Sequence, residues 1–199
     1  MKRLFTILSV IMLTFSVSAQ EFGVQAGMNM ANLSGEDMET DMKMGIFGGV
    51  IAVFSLTDVM TLETGALYSE KGAQDEEIEE EIGIKMSLAF SYIVIPLNIA
   101  YSVSDQISLI AGPYVGLLIY ANSKMSGEFL GQTIDEEEDI KEDIANIDFG
   151  INIGASFSIN ESISVGVGYE LGLADIGSEG DFDATHSNIH IGMSYSFGG

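Results

Sequence analysis

The chain contains no cysteine and no tryptophan, only two prolines and two histidines, and seven basic residues against thirty acidic ones. Without cysteine there can be no disulfide framework and no thiolate metal site, and nothing can be read about redox compartment. The formal net charge of −23 argues against nucleic acid or an anionic surface as partner, because both would repel it. Two histidines leave little material for acid–base catalysis. No apolar run reaches the length of a transmembrane helix, since Ser91, Pro96, Asn98, Gly112, Pro113 and Gly116 interrupt the longest ones. What is abundant is glycine, with 23 residues.

The first nineteen residues read as a secretory signal peptide. Lys2 and Arg3 form the charged start, Leu4 to Val17 the apolar run, and Val17-Ser18-Ala19 a small-residue cleavage site before Gln20. The run is short for a membrane anchor, and no cysteine follows it to carry a lipid. Cleavage after Ala19 removes two cations, taking the charge from −23 to −25, and leaves five lysines, no arginine and thirty acids. The expected organisation is residues 1–19 as signal peptide for Sec export and residues 20–199 as one domain, long enough for a substantial sheet.

Within that domain, one stretch sets the pattern. Ile147, Phe149, Ile151, Ile153, Ala155 and Phe157 alternate with Asp148, Gly150, Asn152, Gly154, Ser156 and Ser158. After the polar turn Ile159-Asn160-Glu161-Ser162, the alternation resumes with Ile163, Val165, Val167, Tyr169, Leu171 and Leu173. A period of two means β-strand, and two such runs around a short turn form an antiparallel hairpin. A soluble β-sandwich would show water a charged, mixed face. Here the second face is mostly Gly, Ser and Asn, which suits a narrow polar interior and leaves the bulky face for hydrocarbon.

The same alternation predicts eight strands. They begin at Phe22, Met44, Thr61, Lys85, Ile107, Ile147, Ile163 and Ser187. Long acidic loops (Leu33–Lys43, Gly72–Ile84, Ala121–Ile144 and Ala174–His186) follow the first, third, fifth and seventh strands. Tight turns follow the second, fourth and sixth. This is the pattern of an all-β, eight-stranded antiparallel up-and-down transmembrane β-barrel, with both ends of the mature chain in the periplasm. The last strand, His190 to Phe197, resembles the C-terminal signal by which the barrel-assembly machinery recognises such proteins, although two glycines follow Phe197.

Several segments resemble the PorT-like outer-membrane β-barrel protein family of Gram-negative bacteria, over nearly all the mature chain. They are Phe22–Asn29, Leu62–Ala73, Tyr92–Leu97 and Gly112–Gly116. The most distinctive pieces are Tyr68-Ser69-Glu70-Lys71-Gly72 and Tyr92-Ile93-Val94-Ile95-Pro96-Leu97. Val94 stands where the family's Ile-Pro strand usually carries a charge. The resemblance implies fold and location. It also implies, as an alternative, an accessory role in outer-membrane protein secretion, the activity linked to the family's namesake.

Three functional readings remain. The leading one is a non-enzymatic outer-membrane protein whose acidic extracellular loops provide surface contact or envelope structure. The secretion accessory is the first alternative. The second is a rim-site lipid- or peptide-hydrolysing barrel enzyme in which His186, at a loop–strand junction, meets Asp181, Asp183 or Ser187 as a general base. The His-x-Ser spacing of outer-membrane deacylases is absent, however, so no catalytic, cofactor-binding or metal residue is assigned, and no cofactor is expected. Glu63, Asn98, Asp148, Asn152, Glu170 and His190 fall on the polar face. All five lysines (Lys43, Lys71, Lys85, Lys124, Lys141) are expected in loops or near the extracellular strand ends, so the lumen acids are read as wet.

The loops hold about twenty-two of the thirty acids. Carboxylates are hard-cation ligands, but Asp135–Asp143 lacks the spacing of a preformed calcium loop. Expected partners are outer-membrane lipid, the barrel-assembly machinery at the C-terminal strand, and divalent cations or a basic partner at the acidic loops, with the protein a monomer. Tyr68, Tyr101, Tyr120, Tyr169, Tyr195 and Phe197 are candidates for interfacial aromatic belts.

Overall fold

Strands with one bulky face pair in chain order here, each antiparallel to the next. The computed structural model describes residues 20–35, 40–79, 82–129, 132–177 and 184–197. The expected signal peptide at 1–19 lies outside these, as do the acids Glu36, Asp37, Glu39, Glu80, Glu81, Glu179, Asp181 and Asp183. The strands are β1 (Gln20–Gly35), β2 (Asp41–Thr57), β3 (Met60–Glu79), β4 (Ile82–Ser102), β5 (Ile107–Phe129), β6 (Gln132–Asp139), β7 (Ile147–Ser158), β8 (Ile163–Gly172) and β9 (Ala184–Ser196). Eight of them close a ring, because β4 pairs β5, β5 pairs β7, and β9 returns to β1 with Gly23 opposite Ser196 and Gly35 opposite Ala184. β6 stands outside the ring and pairs only with the outer part of β5. Among the described residues no helix is long and apolar enough to cross a membrane.

The eight expected strands are all present, but the loops between them are much shorter than the sequence suggests. Gly72–Ile84 is expected as a loop; instead β3 and β4 stay paired until Glu79 faces Ile82. Likewise β5 runs for 23 residues, about twice the ~9–11 needed to cross a bilayer. Lost alternation hides this. Beyond the hydrocarbon neither face need be apolar, so pairing continues without the signature that reveals it. Three short turns, Asp58–Val59, Val103–Gln106 and Ile159–Ser162, lie at the other end with Gln20 and Phe197. Side chains close them: Asn160 Oδ1 accepts from the amides of Ser162 at 2.9 Å and Ile163 at 2.8 Å. Short turns mark the periplasmic end.

The faces are arranged as the alternation predicts. Ile147, Phe149, Ile151 and Ile153 are 46 % to 55 % exposed, while Asp148 between them is 1 % exposed. Leaving such side chains in water forgoes about 1.5–3 kcal/mol each. A handful therefore rivals the ~5–15 kcal/mol that stabilises an ordinary domain. The outer surface needs hydrocarbon. Of the expected belt residues, Tyr101, Tyr120, Tyr169, Tyr195 and Phe197 are exposed outward. Tyr68 is partly covered instead, with its hydroxyl bonded to Glu70 Oε1 at 2.8 Å and beside Ser91 Oγ at 3.1 Å.

One irregularity re-aims β5. Ser91 faces Tyr120 while Tyr92 faces Leu118, leaving Ile119 as an extra residue. This is a β-bulge. Ile119 and Tyr120 both point outward, and the inward positions pass from Leu118 to Ala121. In a denaturing gel of the detergent-extracted outer-membrane fraction, unboiled protein should migrate differently from boiled protein. Identical migration would contradict a closed barrel.

Candidate functional site

The interior is divided into a filled outer half and an open inner half. In the outer half, the inward positions of β3, β7 and β8 bring Lys71, Asp148 and Glu170 together. Lys71 Nζ lies 2.9 Å from Glu170 Oε2 and 3.4 Å from Asp148 Oδ2, with the lysine and aspartate side chains wholly buried. Tyr114 donates its hydroxyl to Asp148 Oδ2 at 3.2 Å, and its ring lies 4.5 Å from the ammonium. Asn188 Nδ2 donates to Glu170 Oε2 at 3.2 Å and Asn29 Oδ1 at 3.1 Å. Asn29 Nδ2 in turn donates to Ser69 Oγ at 2.9 Å and the Glu70 carbonyl at 2.8 Å. The network thus joins six strands through side chains as well as through the backbone.

This corrects the sequence reading of Lys71 as a loop or rim cation and of Asp148 and Glu170 as wet. Parity along β3 carries the missing signal. Lys71 is in step with Ser69 and Ala73, all three inward and buried, but its position near the expected strand end obscured that. Val94 lacks the charge usual in the resembling family, yet a lumen ion pair exists, supplied by β3, β7 and β8 instead.

His186 also moves. It lies within β9, 1 % exposed, with Nε2 3.0 Å from the Tyr92 hydroxyl and its ring edge-on to Phe90 and Tyr92. Ser187 leaves the opposite face of the strand, and Asp181 and Asp183 lie outside the described residues. The apolar cluster of Leu33, Phe90, Leu118, Ala121, Ile144 and Ile176 fills the barrel around it. A histidine enclosed by aromatic rings cannot meet substrate at the rim, so the arrangement gives no support to the hydrolase alternative. His190 faces the lumen as expected and packs edge-on against Phe47, with ring centroids 5.8 Å apart. A Cβ at Gly168 would sit 2.4 Å from His190 Nε2, so the glycine is what admits the ring.

Beyond the filled half, β3, β4, β5 and β6 continue outward as a sheet. Its last strand carries Asp135 to Asp139, and its far edge has no strand partner among the described residues. Lys124 meets Asp135 at 3.0 Å in the open, and that hydrogen bond holds the ammonium above its ordinary range. Such an exposed pair contributes little to stability. Among the described residues no three His, Asp or Glu side chains come together to hold a metal ion.

The inner half contains a cavity of about 530 Å³ reaching the periplasmic turns. Gly154, Gly166 and Gly192, with Ser156, Ser164 and Ser194, leave the space, and Glu63, Asn98, Asn152 and His190 line it.

A family model described as outer membrane protein beta-barrel domain matches residues 16–178. Among solved structures, the chain is similar to Ail, the attachment invasion locus protein of Yersinia pestis, at 13% identity, with 89% of this chain and 98% of that chain covered and a TM-score of 0.50. It is also similar to Neisserial surface protein A, at 12% identity, 90% and 100% coverage and a TM-score of 0.48. A third likeness is to the outer membrane protease OmpT of Escherichia coli, at 10% identity, 92% and 99% coverage and a TM-score of 0.42. A search of curated proteins finds no match. At 13% identity the likeness to Ail is one of fold alone.

The buried network makes a sharp energetic prediction. Lys71→Ala should destabilise the barrel by about 3–5 kcal/mol, because it leaves two carboxylates uncompensated. Combining Lys71→Met with Asp148→Asn and Glu170→Gln should recover much of that loss. Urea unfolding in lipid vesicles, followed by tyrosine fluorescence, measures both. Equal stability of native protein and the single variant would contradict the network's role.

Proposed function

The chain belongs to the outer membrane protein beta-barrel domain family, and we propose that it is a non-enzymatic surface protein of the outer membrane whose acidic extracellular sheet contacts a basic partner. The carrying observation is β6, an edge strand with five consecutive acids, held beyond the barrel by its pairing with β5. An unpaired strand edge offers a row of backbone donors and acceptors to an incoming strand. Its carboxylates would reject acidic or neutral strands and favour one rich in lysine or arginine. On this reading residues 1–19 are removed on export, the His190–Phe197 strand addresses the chain to the assembly machinery, and the barrel works as a monomer.

The Tyr68–Gly72 and Tyr92–Leu97 segments, which resemble the PorT-like family, favour a second reading as an accessory to secretion. There the basic partner would be a component of the secretion apparatus, and it would co-purify with the native protein.

The test uses the full mature protein in nanodiscs and a synthetic peptide of alternating lysine and valine. Native protein should bind it, with affinity falling as salt rises through the range where the Debye length shrinks below ~10 Å. A variant carrying Asp135→Asn, Glu136→Gln, Glu137→Gln, Glu138→Gln and Asp139→Asn should lose about tenfold or more in affinity. Unchanged binding by that variant would overturn the proposal. Binding that instead requires added calcium would mark the acids as cation ligands.

A further inference from the structure

The inner cavity has a chemical character that the extracellular sheet does not explain. Among its lining residues Glu21, Glu63, Asp105, Glu161 and Glu170 are acidic, and none is lysine or arginine. Glu170 is already engaged by Lys71. Glu63 differs, because its carboxylate faces the cavity without an ion pair or hydrogen bond to the protein among the described residues. It stands opposite Asn98 across the β3–β4 ladder.

The neighbouring positions continue that polarity. Gly112 packs against the Asn98 backbone and faces Asn152 across β5 and β7, and Asn152 in turn faces Glu170 across β7 and β8. A polar row therefore climbs the wall from Glu63 to the ion-paired glutamate. Asn98 and Asn152 are only 8 % and 7 % exposed, yet the Oδ1 of each accepts no hydrogen bond from the protein. Buried acceptors of this kind ordinarily have donors.

We propose that this cavity is a binding site for a small organic cation carrying N–H donors, of the alkylammonium class, with Glu63 as counter-ion and Asn98 and Asn152 as hydrogen-bond acceptors. The Glu63 carboxylate and the Oδ1 atoms of Asn98 and Asn152 accept, so the ligand must donate to them, while His190, whose Nδ1 also has no partner, lines the same space. The walls carry net negative charge, so it must be positive. No three ligating side chains converge to hold a metal ion among the described residues. About 530 Å³ is instead the size of a small-molecule pocket, for which ~300–1,000 Å³ is usual. Glu21, Asp105 and Glu161 stand at the periplasmic end, where they draw cations inward. The filled outer half stops the ligand short of the cell exterior, so the site serves capture from the periplasm.

The test is calorimetric titration of spermidine into the full mature protein in detergent micelles. Native protein should bind it saturably and more weakly as salt rises. Glu63→Gln, which keeps the side-chain volume, should weaken binding by about tenfold or more, since a charge-assisted hydrogen bond is lost. Ser156→Lys, which places an ammonium in the cavity, should abolish binding. Glu136→Gln with Glu138→Gln, on the extracellular sheet, should leave it unchanged. Heat modifiability of each variant reports that the barrel is closed. Absence of saturable binding by the native protein would overturn the proposal. So would equal affinity in folded Glu63→Gln and Ser156→Lys variants, or a loss produced by the extracellular pair alone.

Discussion

Everything in this protein depends on the pairing of β9 with β1. In hydrocarbon no water is present to satisfy a free N–H or C=O, so a sheet can enter a bilayer only when its first strand meets its last. Thirteen residue pairs, from Gly23–Ser196 to Gly35–Ala184, make that closure. Once the ring is shut, its geometry fixes the rest. Eight strands enclose a narrow bore, so inward positions must be small wherever the bore is to stay open. Outward positions must be apolar because they touch acyl chains. The reversal of bulky and small faces relative to a soluble protein is thus a consequence of closure in that solvent.

The bore is then used in two ways. In its outer half, large side chains fill it, and the buried Lys71 is balanced by two carboxylates, a tyrosine hydroxyl and an asparagine. Burying three ionised groups costs several kcal/mol per ion, and only good mutual geometry offsets that. In its inner half, glycine and serine replace those side chains and the wall is left with unfilled acceptors. The same alternating strands produce both halves; only the volume of the inward residues differs.

How much of this the sequence discloses depends on which solvent reads each face. Between Ile147 and Leu173 hydrocarbon on one side and a narrow lumen on the other enforce a strict period of two, so the strands and their faces are legible from that pattern. Above the membrane both faces of β3, β4 and β5 meet water, the period vanishes, and paired strands look like acidic loops. Asn98, Asp148, Asn152, Glu170 and His190 could be placed inward by parity. Lys71 obeys the same parity, but a lysine near an expected strand end reads as a rim residue. His186 reads as a loop–strand junction because the alternation is clear only from Ser187, whereas the strand it belongs to starts at Ala184. Which inward residues touch one another depends on the stagger between strands, and that is a property of closure absent from any single strand.

The bulge at Ile119 has an evolutionary consequence. Because side chains alternate, removing one residue exchanges the faces of everything beyond it. Ile119 is the exception, because its removal leaves Leu118 facing the lumen, Tyr120 the outside and Ala121 the lumen, a regular alternation that preserves the faces of the arm supporting β6. Single-residue insertions and deletions should therefore be purged from the rest of this strand and survive only at the bulge and at the far hairpin tip. Lineages can lengthen or shorten the extracellular arm most readily in matched pairs of residues, one from each partner strand. The arm is free to vary in reach while the wall beneath it is held to a fixed parity.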